Sequence, residues 1–162
     1  MAFSLTYDLE GAGWATARVQ DGSSSFDITI SYLHDSLREL AEVARALRDG
    51  AMTARVVFMD EPGEIQLIFT RTSIGLDYEL RWFDDWNSWG MHPDGLFEIV
   101  HRGQTTVPIL CEEVRKELEA LLEQYGEEGY NEKWVEAEFP MELLRDLQTN
   151  RMVEQGGEGL FA

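Results

Sequence analysis

Apolar and polar residues alternate along the first part of the chain, which is the period of strands with one buried and one solvated face. The alternation is clear over residues 3–9 and 26–31, and residues 14–20 between them indicate a further strand. Glycine-containing turns separate the three segments, at 11–13 and at 21–23. The pattern therefore predicts a three-stranded antiparallel meander.

The apolar spacing then changes to three or four residues, which is typical of an amphipathic helix. One stripe of apolar side chains has this spacing: Leu33, Leu37, Leu40, Ala44 and Leu47. Ser31 is the predicted cap near the start of this helix, and Gly50 is the predicted stop. The meander is therefore expected to lead directly into a helix with one buried face.

Four more strands and two helices are predicted in the rest of the chain. The strands lie at 52–59, 65–71, 74–82 and 96–102. A long amphipathic helix begins near Pro108 and ends at Gly126, and a last helix follows Phe139 and Pro140. The order βββαββββαα predicts the α+β class, with a largely antiparallel sheet of about seven strands and helices packed on one face.

The composition indicates one acidic globular domain. The chain has 162 residues, enough for a single core over 1–154, and residues 155–162 are expected to be a mobile carboxy-terminal tail. The formal net charge is −18, whereas small domains usually have a magnitude of about 2 to 8. Such a charge repels nucleic acids and anionic membranes, and it either attracts a basic partner or serves solubility alone. The most acidic region is residues 111–142, with eleven glutamates against three basic side chains.

Motifs of catalysis or cofactor binding are missing from the sequence. It contains no P-loop, no glycine-rich dinucleotide fingerprint and no nucleophile elbow. The single cysteine, Cys111, excludes an internal disulfide and a multi-thiolate zinc site. A calcium-loop pattern that begins at Asp85 fails at its last ligand position, which is Leu96 instead of glutamate. A metal site is also disfavoured for a grouping that any acidic sequence offers by chance: Asp84, Asp85, His92 and Asp94.

We therefore predict a protein that is not an enzyme and uses no cofactor or metal. No apolar run reaches the about 20 residues of a membrane span, and the first residues lack the pattern of a signal peptide. A cytoplasmic protein that binds neither membranes nor nucleic acid is expected.

The segment LRWFDDWNSWGMHPDG, residues 80–95, contains three tryptophans with different predicted roles. Trp82 continues the inward face of the preceding strand and is predicted to lie in the core. Trp86 and Trp89 follow the point where the alternation ends, so they belong to a loop. Together with Met91 they are candidate anchors for a partner, or else both tryptophans fold back over the sheet edge as a small cluster. Three glutamates of the long helix are candidate charges that steer a basic partner: Glu112, Glu119 and Glu123.

The segments DLEGAGWA, SYLHDSLREL, DEPGEIQLIF and EQYGEEGYNEKWVEAEFP resemble an uncharacterised family of small acidic bacterial proteins from high-GC genomes. The resemblance extends from Leu5 to about Leu147. No activity is known for that family, so the resemblance implies no catalytic residue.

Three hypotheses of function remain open at this point. The first is an acidic interaction protein, such as an immunity-type inhibitor that covers a basic surface of another protein. The second is a small-ligand-binding module with an apolar cavity between sheet and helices, and the third is an enzyme with dispersed carboxylates. The cavity of the second hypothesis would be lined by four aromatic side chains: Trp14, Tyr78, Trp82 and Trp86.

Overall fold

The computed structural model describes residues 3–91, 96–135 and 137–149. Within these ranges, seven antiparallel strands form two sheets, which confirms the predicted α+β class and the order βββαββββαα. Sheet A has the order β1-β2-β3, with strands Phe3–Gly11, Trp14–Asp21 and Ser24–Ser31. Sheet B has the order β4-β5-β6-β7, with strands Thr53–Met59, Glu64–Arg71, Leu76–Phe83 and Glu98–Thr105. The helices are α1, Ser36–Arg48, α2, Val107–Trp134, and α3 at 141–149.

One core joins the inner faces of both sheets to the helices. Helix α1 packs against β4 and α2, and α2 packs against β1. In sheet B the inner face is set by a continuous register in which Ile65 pairs with Trp82 and Leu67 with Leu80. The largest fully buried side chains come from both sheets and from α2: Tyr7, Phe58, Phe69, Tyr130 and Trp134. The predicted tail at 155–162 lies outside the described residues.

Helix α1 starts later than its sequence pattern predicts. Asp35 is the N-cap and its carboxylate accepts a hydrogen bond from the backbone N–H of Arg38, so the helix begins at Ser36. Ser31, the predicted cap, is instead a buried end of β3 whose hydroxyl bonds to Glu61 Oε1 at 3.2 Å. The later members of the predicted stripe are confirmed as buried, from Leu37 to Leu47. The prediction of the first turn was wrong because Leu33 precedes the cap.

The first turn of α1 closes the edge of β4. The backbone N–H of Val57 donates to Glu39 Oε1 at 2.5 Å, and the Ser36 hydroxyl donates to the Val57 carbonyl at 2.7 Å. Because β4 is the first strand of sheet B, no strand pairs with it on this side. The two side chains therefore supply the partners that both backbone groups of Val57 need. His34 adds to this contact, because its Nε2 lies 3.1 Å from Glu39 Oε1. A histidine therefore holds the carboxylate that satisfies the sheet edge.

The His34–Glu39 pair predicts a pH-dependent contribution to stability. The Glu39 carboxylate raises the pKa of His34, and this effect outweighs the lowering caused by burial. Because folding raises the pKa of His34, the stabilisation of the protein by the pair is complete below about pH 6.5. It is lost as the pH rises through the pKa that His34 has in the folded state. We expect His34→Gln to destabilise the protein at about pH 6 and to have much less effect at about pH 8.5. Urea unfolding of both proteins across this pH range measures the difference in their free energies of unfolding. A difference that stays constant or grows with pH contradicts a stabilising ion pair between His34 and Glu39.

The region after Gly126 is helical, contrary to the predicted end of the helix. Gly126 has φ 69° and ψ 175°, which interrupts the helical hydrogen bonding, and helical turns resume from there to Trp134. Tyr130 and Trp134 are four residues apart and both are fully buried, so packing of one helical face continues beyond the break. The glycine therefore redirects α2 and does not end it.

Candidate protein-binding surface

Residues 84–91, which follow β6, fold onto the outer face of sheet B. This face carries the side chains that alternate with the inner ones, and on β5 these include Glu64 and Gln66. Glu64 is only 1% exposed although it points away from the core. Its oxygens accept the backbone N–H of Ser88 at 3.0 Å, the Ser88 hydroxyl at 2.9 Å and the amide of Gln66 at 2.6 Å. A buried carboxylate thus fixes the segment to the sheet.

Trp86 and Trp89 lie on either side of this anchor. A single turn of 3-10 helix, Asn87–Trp89, ends at Gly90, whose φ of 74° suits glycine. The Trp86 indole Nε1 donates to the Asp60 carbonyl at 2.8 Å, and Trp86 is half-buried. The two indole rings are 4.9 Å apart at 63°, an edge-to-face contact, while Trp89 remains 50% exposed. Each of the two alternatives for this pair therefore applies to one tryptophan. Trp86 folds back onto the protein, whereas Trp89 presents half of its surface to solvent and is available as an anchor.

Exposed apolar side chains concentrate around this loop. We define the apolar patch as five residues of this region, with exposed fractions from 36% to 61%: Trp89, Met91, Leu96, Phe97 and Ile99. Elsewhere in the described chain the large exposed apolar residues are scattered: Met52, Ile74, Trp82 and Val135. Five exposed apolar side chains within residues 89–99 make this region the candidate interaction surface.

Two side chains on the outer face of β6, Arg81 and Phe83, pack against Phe97 of the patch. The Phe83 and Phe97 ring centroids are 5.6 Å apart, and the Arg81 guanidinium lies 4.5 Å from the Phe97 ring centroid. Phe83 is therefore only 3% exposed, although it lies on the outer face of β6 opposite Glu64. Trp82 is 40% exposed, so the prediction of a core role for Trp82 was wrong. Trp82 does point to the inner side, opposite Ile65, but it stands one residue from the end of β6.

Two exposed carboxylates are close to the patch in the chain. Asp84 follows Phe83, and Glu98 lies between Phe97 and Ile99. Glu98 pairs with Trp82, so its side chain lies on the opposite face of sheet B from Ile99, which pairs with Arg81. Arg81 is engaged by Glu79, with 2.7 Å between Nη2 and Oε1, as well as by the Phe97 ring.

The three candidate glutamates of α2 are in a different place. Arg115 is 6% exposed and its guanidinium holds both Glu112 and Glu119, with 2.7 Å between Nη1 and Glu119 Oε1. Glu119 also accepts the Gln148 amide of α3 at 3.0 Å, whereas Glu123 is exposed. Because α2 lies in the helical layer and the loop lies on the outer face of sheet B, the structure does not bring these glutamates to the tryptophans.

The four aromatic residues predicted to line an inner cavity do not meet. The Tyr78 ring packs at 5.2 Å from Phe3, and burial raises the pKa of the Tyr78 hydroxyl. Tyr78 lies on the inner face of sheet B, whereas Trp86 belongs to the outer side and Trp14 pairs with Ser31 in sheet A. The outer face does form an open cavity of about 520 Å³ at its other end, lined by eight residues: Ile68, Thr70, Asp77, Tyr78, Glu79, Arg102, Gly103 and Gln104.

No group of three His, Cys, Asp or Glu side chains is placed to hold a metal ion in the part of the chain that the structure describes. His92 and Asp94, which belong to the disfavoured metal grouping, lie outside that part. None of the helices in the described ranges combines the length and the apolar character that a bilayer crossing requires.

Comparison with protein-family models, with curated proteins and with solved structures found no match for this chain. The apolar patch and its surroundings are therefore the features that bear on function.

Proposed function

We propose that this protein is a non-catalytic interaction protein that binds a basic protein partner through the apolar patch. The observation that carries the proposal is the concentration of exposed apolar side chains at residues 89–99, next to an anchored turn, in a protein with a net charge of −18. Burial of such side chains supplies affinity, while charge supplies the rate and the selectivity of encounter.

The loop is built to present its anchors without a large ordering cost. Glu64 binds Ser88 through backbone and side chain, and the Trp86 indole is tied to Asp60. A surface that is already ordered loses little conformational entropy on binding, so more of the contact energy becomes affinity. Trp89 is then held by its edge-to-face contact with Trp86, which leaves its exposed side available to a partner.

The negative charge acts at longer range. Asp84 and Glu98 add exposed negative charge close to the patch in the chain, and the whole-chain charge attracts a basic surface from beyond contact distance. This attraction is screened at about 8 Å in physiological salt, so it changes association more than dissociation. An intracellular immunity-type inhibitor that covers a basic toxin is the form of this function that we favour, with a cytoplasmic location.

Matched charge variants test the proposal. We expect Asp84→Asn with Glu98→Gln to slow association with the captured partner several-fold at about 50 mM salt and to have little effect at about 500 mM. The control pair Glu127→Gln with Glu128→Gln makes the same change in net charge on exposed residues of α2. The measurement is the association rate of partner purified by affinity capture from the native lysate.

The two pairs of variants separate local steering from net charge. Slower association for the Asp84 and Glu98 pair alone supports binding at the patch. Equal slowing by both pairs, or a partner that is not basic, contradicts the proposal.

A further inference from the structure

Strand β7 is an exposed sheet edge beside the apolar patch. Within the described residues, β7 pairs with β6 along one edge and has no strand on the other. Its exposed residues include Glu98, Ile99 and Arg102, and Arg102 has 69% of its side chain exposed. By contrast, both backbone groups of Val57 at the edge of β4 have partners in Ser36 and Glu39. An edge with unpaired backbone groups is a template for another strand.

The open part of this edge can be located from one hydrogen bond. The Gln104 backbone N–H donates to Asp21 Oδ2 at 3.0 Å, so it points away from β6 and is already satisfied. Backbone groups two residues apart in a strand point the same way, so the Arg102 N–H also points to the free edge. The register shift between Leu80 and Arg81 places one extra residue, Val100, between His101 and Ile99. The outward backbone groups are therefore those of Arg102 and, beyond this irregularity, of Ile99.

The side chains along this edge indicate what an added strand must carry. Ile99 pairs with Arg81 and lies on the outer side with Phe97, whereas Glu98 pairs with Trp82 and lies on the inner side. Successive side chains of an added strand alternate between these two sides. The outer side carries Ile99 and the exposed cation Arg102, and the inner side carries the carboxylate of Glu98. Next to Ile99 and Glu98 this arrangement fits a segment that alternates apolar and basic residues. A second copy of this chain fits poorly, since each copy has a net charge of −18.

We propose that the free edge of β7 binds an extended segment of the basic partner by strand addition, with alternating basic and apolar side chains. This inference rests on the proposed function and specifies how the same surface holds its partner. Backbone hydrogen bonds to the outward groups of Ile99 and Arg102 position the segment, and the apolar patch receives its apolar side chains.

A proline variant tests the backbone pairing separately from charge. The probe is a synthetic peptide of about ten residues that alternates lysine and valine, matched to the usual length of a strand. Arg102→Pro removes the outward N–H but leaves the ladder to β6, and Arg102→Gln removes the same charge but keeps the N–H.

We expect saturating peptide to slow amide hydrogen exchange at residue 102 by about tenfold or more in the wild type and in Arg102→Gln. Arg102→Pro is expected to bind the peptide at least about tenfold more weakly.

A second probe keeps the test independent of the folding of Arg102→Pro. The same peptide with every backbone nitrogen methylated has no N–H donor on either edge and cannot form the ladder, so we expect it to lose binding to the wild-type protein. Equal binding of methylated and unmethylated peptides overturns strand addition, as does absence of binding by the unmethylated peptide. Pairing of β7 with β7 of a second copy, seen as a dimer in sedimentation, also overturns it.

The outcomes also distinguish this inference from the proposed function. If the captured partner perturbs the patch while the amide at residue 102 exchanges as in the free protein, strand addition fails and the proposed function stands. If the partner perturbs neither the patch nor β7, both fail.

Discussion

Glu64→Ala is expected to release the β6–β7 loop and to lower the free energy of unfolding by about 3 kcal/mol. The carboxylate of Glu64 accepts three hydrogen bonds from Ser88 and Gln66, and it is 1% exposed. Its removal leaves the Ser88 backbone N–H without that acceptor and opens a space under the loop. Urea unfolding followed by tryptophan fluorescence measures both effects, because Trp86 and Trp89 report on the loop directly.

Two further variants define the cause of the Glu64 effect. Glu64→Gln keeps the size of the side chain but replaces one acceptor oxygen by a donor, so an intermediate loss is expected. Glu10→Ala removes an exposed glutamate of β1 and is expected to change stability by less than about 0.5 kcal/mol. If Glu64→Ala is as stable as Glu10→Ala, the loop is not held by this carboxylate.

Trp89→Ala combined with Phe97→Ala is expected to weaken binding of the captured basic partner by about 100-fold. Trp89 is 50% exposed and Phe97 36% exposed, so each has a large free surface to bury in a complex. Aromatic anchors near the centre of an interface account for a large share of its free energy. The equilibrium dissociation constant, measured by calorimetry with purified partner, gives the result.

A matched double variant controls for loss of exposed apolar surface in general. Met52 is 63% exposed and Ile74 82% exposed, and both lie outside the apolar patch. We expect Met52→Ala with Ile74→Ala to bind the partner as the wild type does. Similar losses in the two double variants would show that the patch has no special role.

The fold could be predicted from sequence because its determinants are local. Alternation at period two specified the strands, and spacing of three and four specified α1 and α2. Predictions failed where the local sequence pattern does not determine how deeply a side chain is buried. Alternation correctly placed Trp82 on the inner side of β6, but it could not show that the side chain, near the end of the strand, stays exposed.

The candidate site was only partly predictable for the same reason. Trp86, Trp89 and Met91 were recognisable because they interrupt the strand pattern. Glu64 was missed, since a glutamate next to a turn looks solvated until a serine 24 residues later covers it. Phe97 was assigned to the start of a strand, and only its contact with Phe83 identifies it as part of the patch. Such contacts between distant segments are set by tertiary packing and leave no periodic signal.

The central claim is that the partner binds the apolar patch and not the acidic helix. Hydrogen–deuterium exchange of the protein with and without the captured partner tests this most directly. We predict slower exchange in residues 86–91 and 96–102 and unchanged exchange in the exposed turns of α2 around Glu123. Protection of α2 with no change in the patch and in β7 would contradict the account.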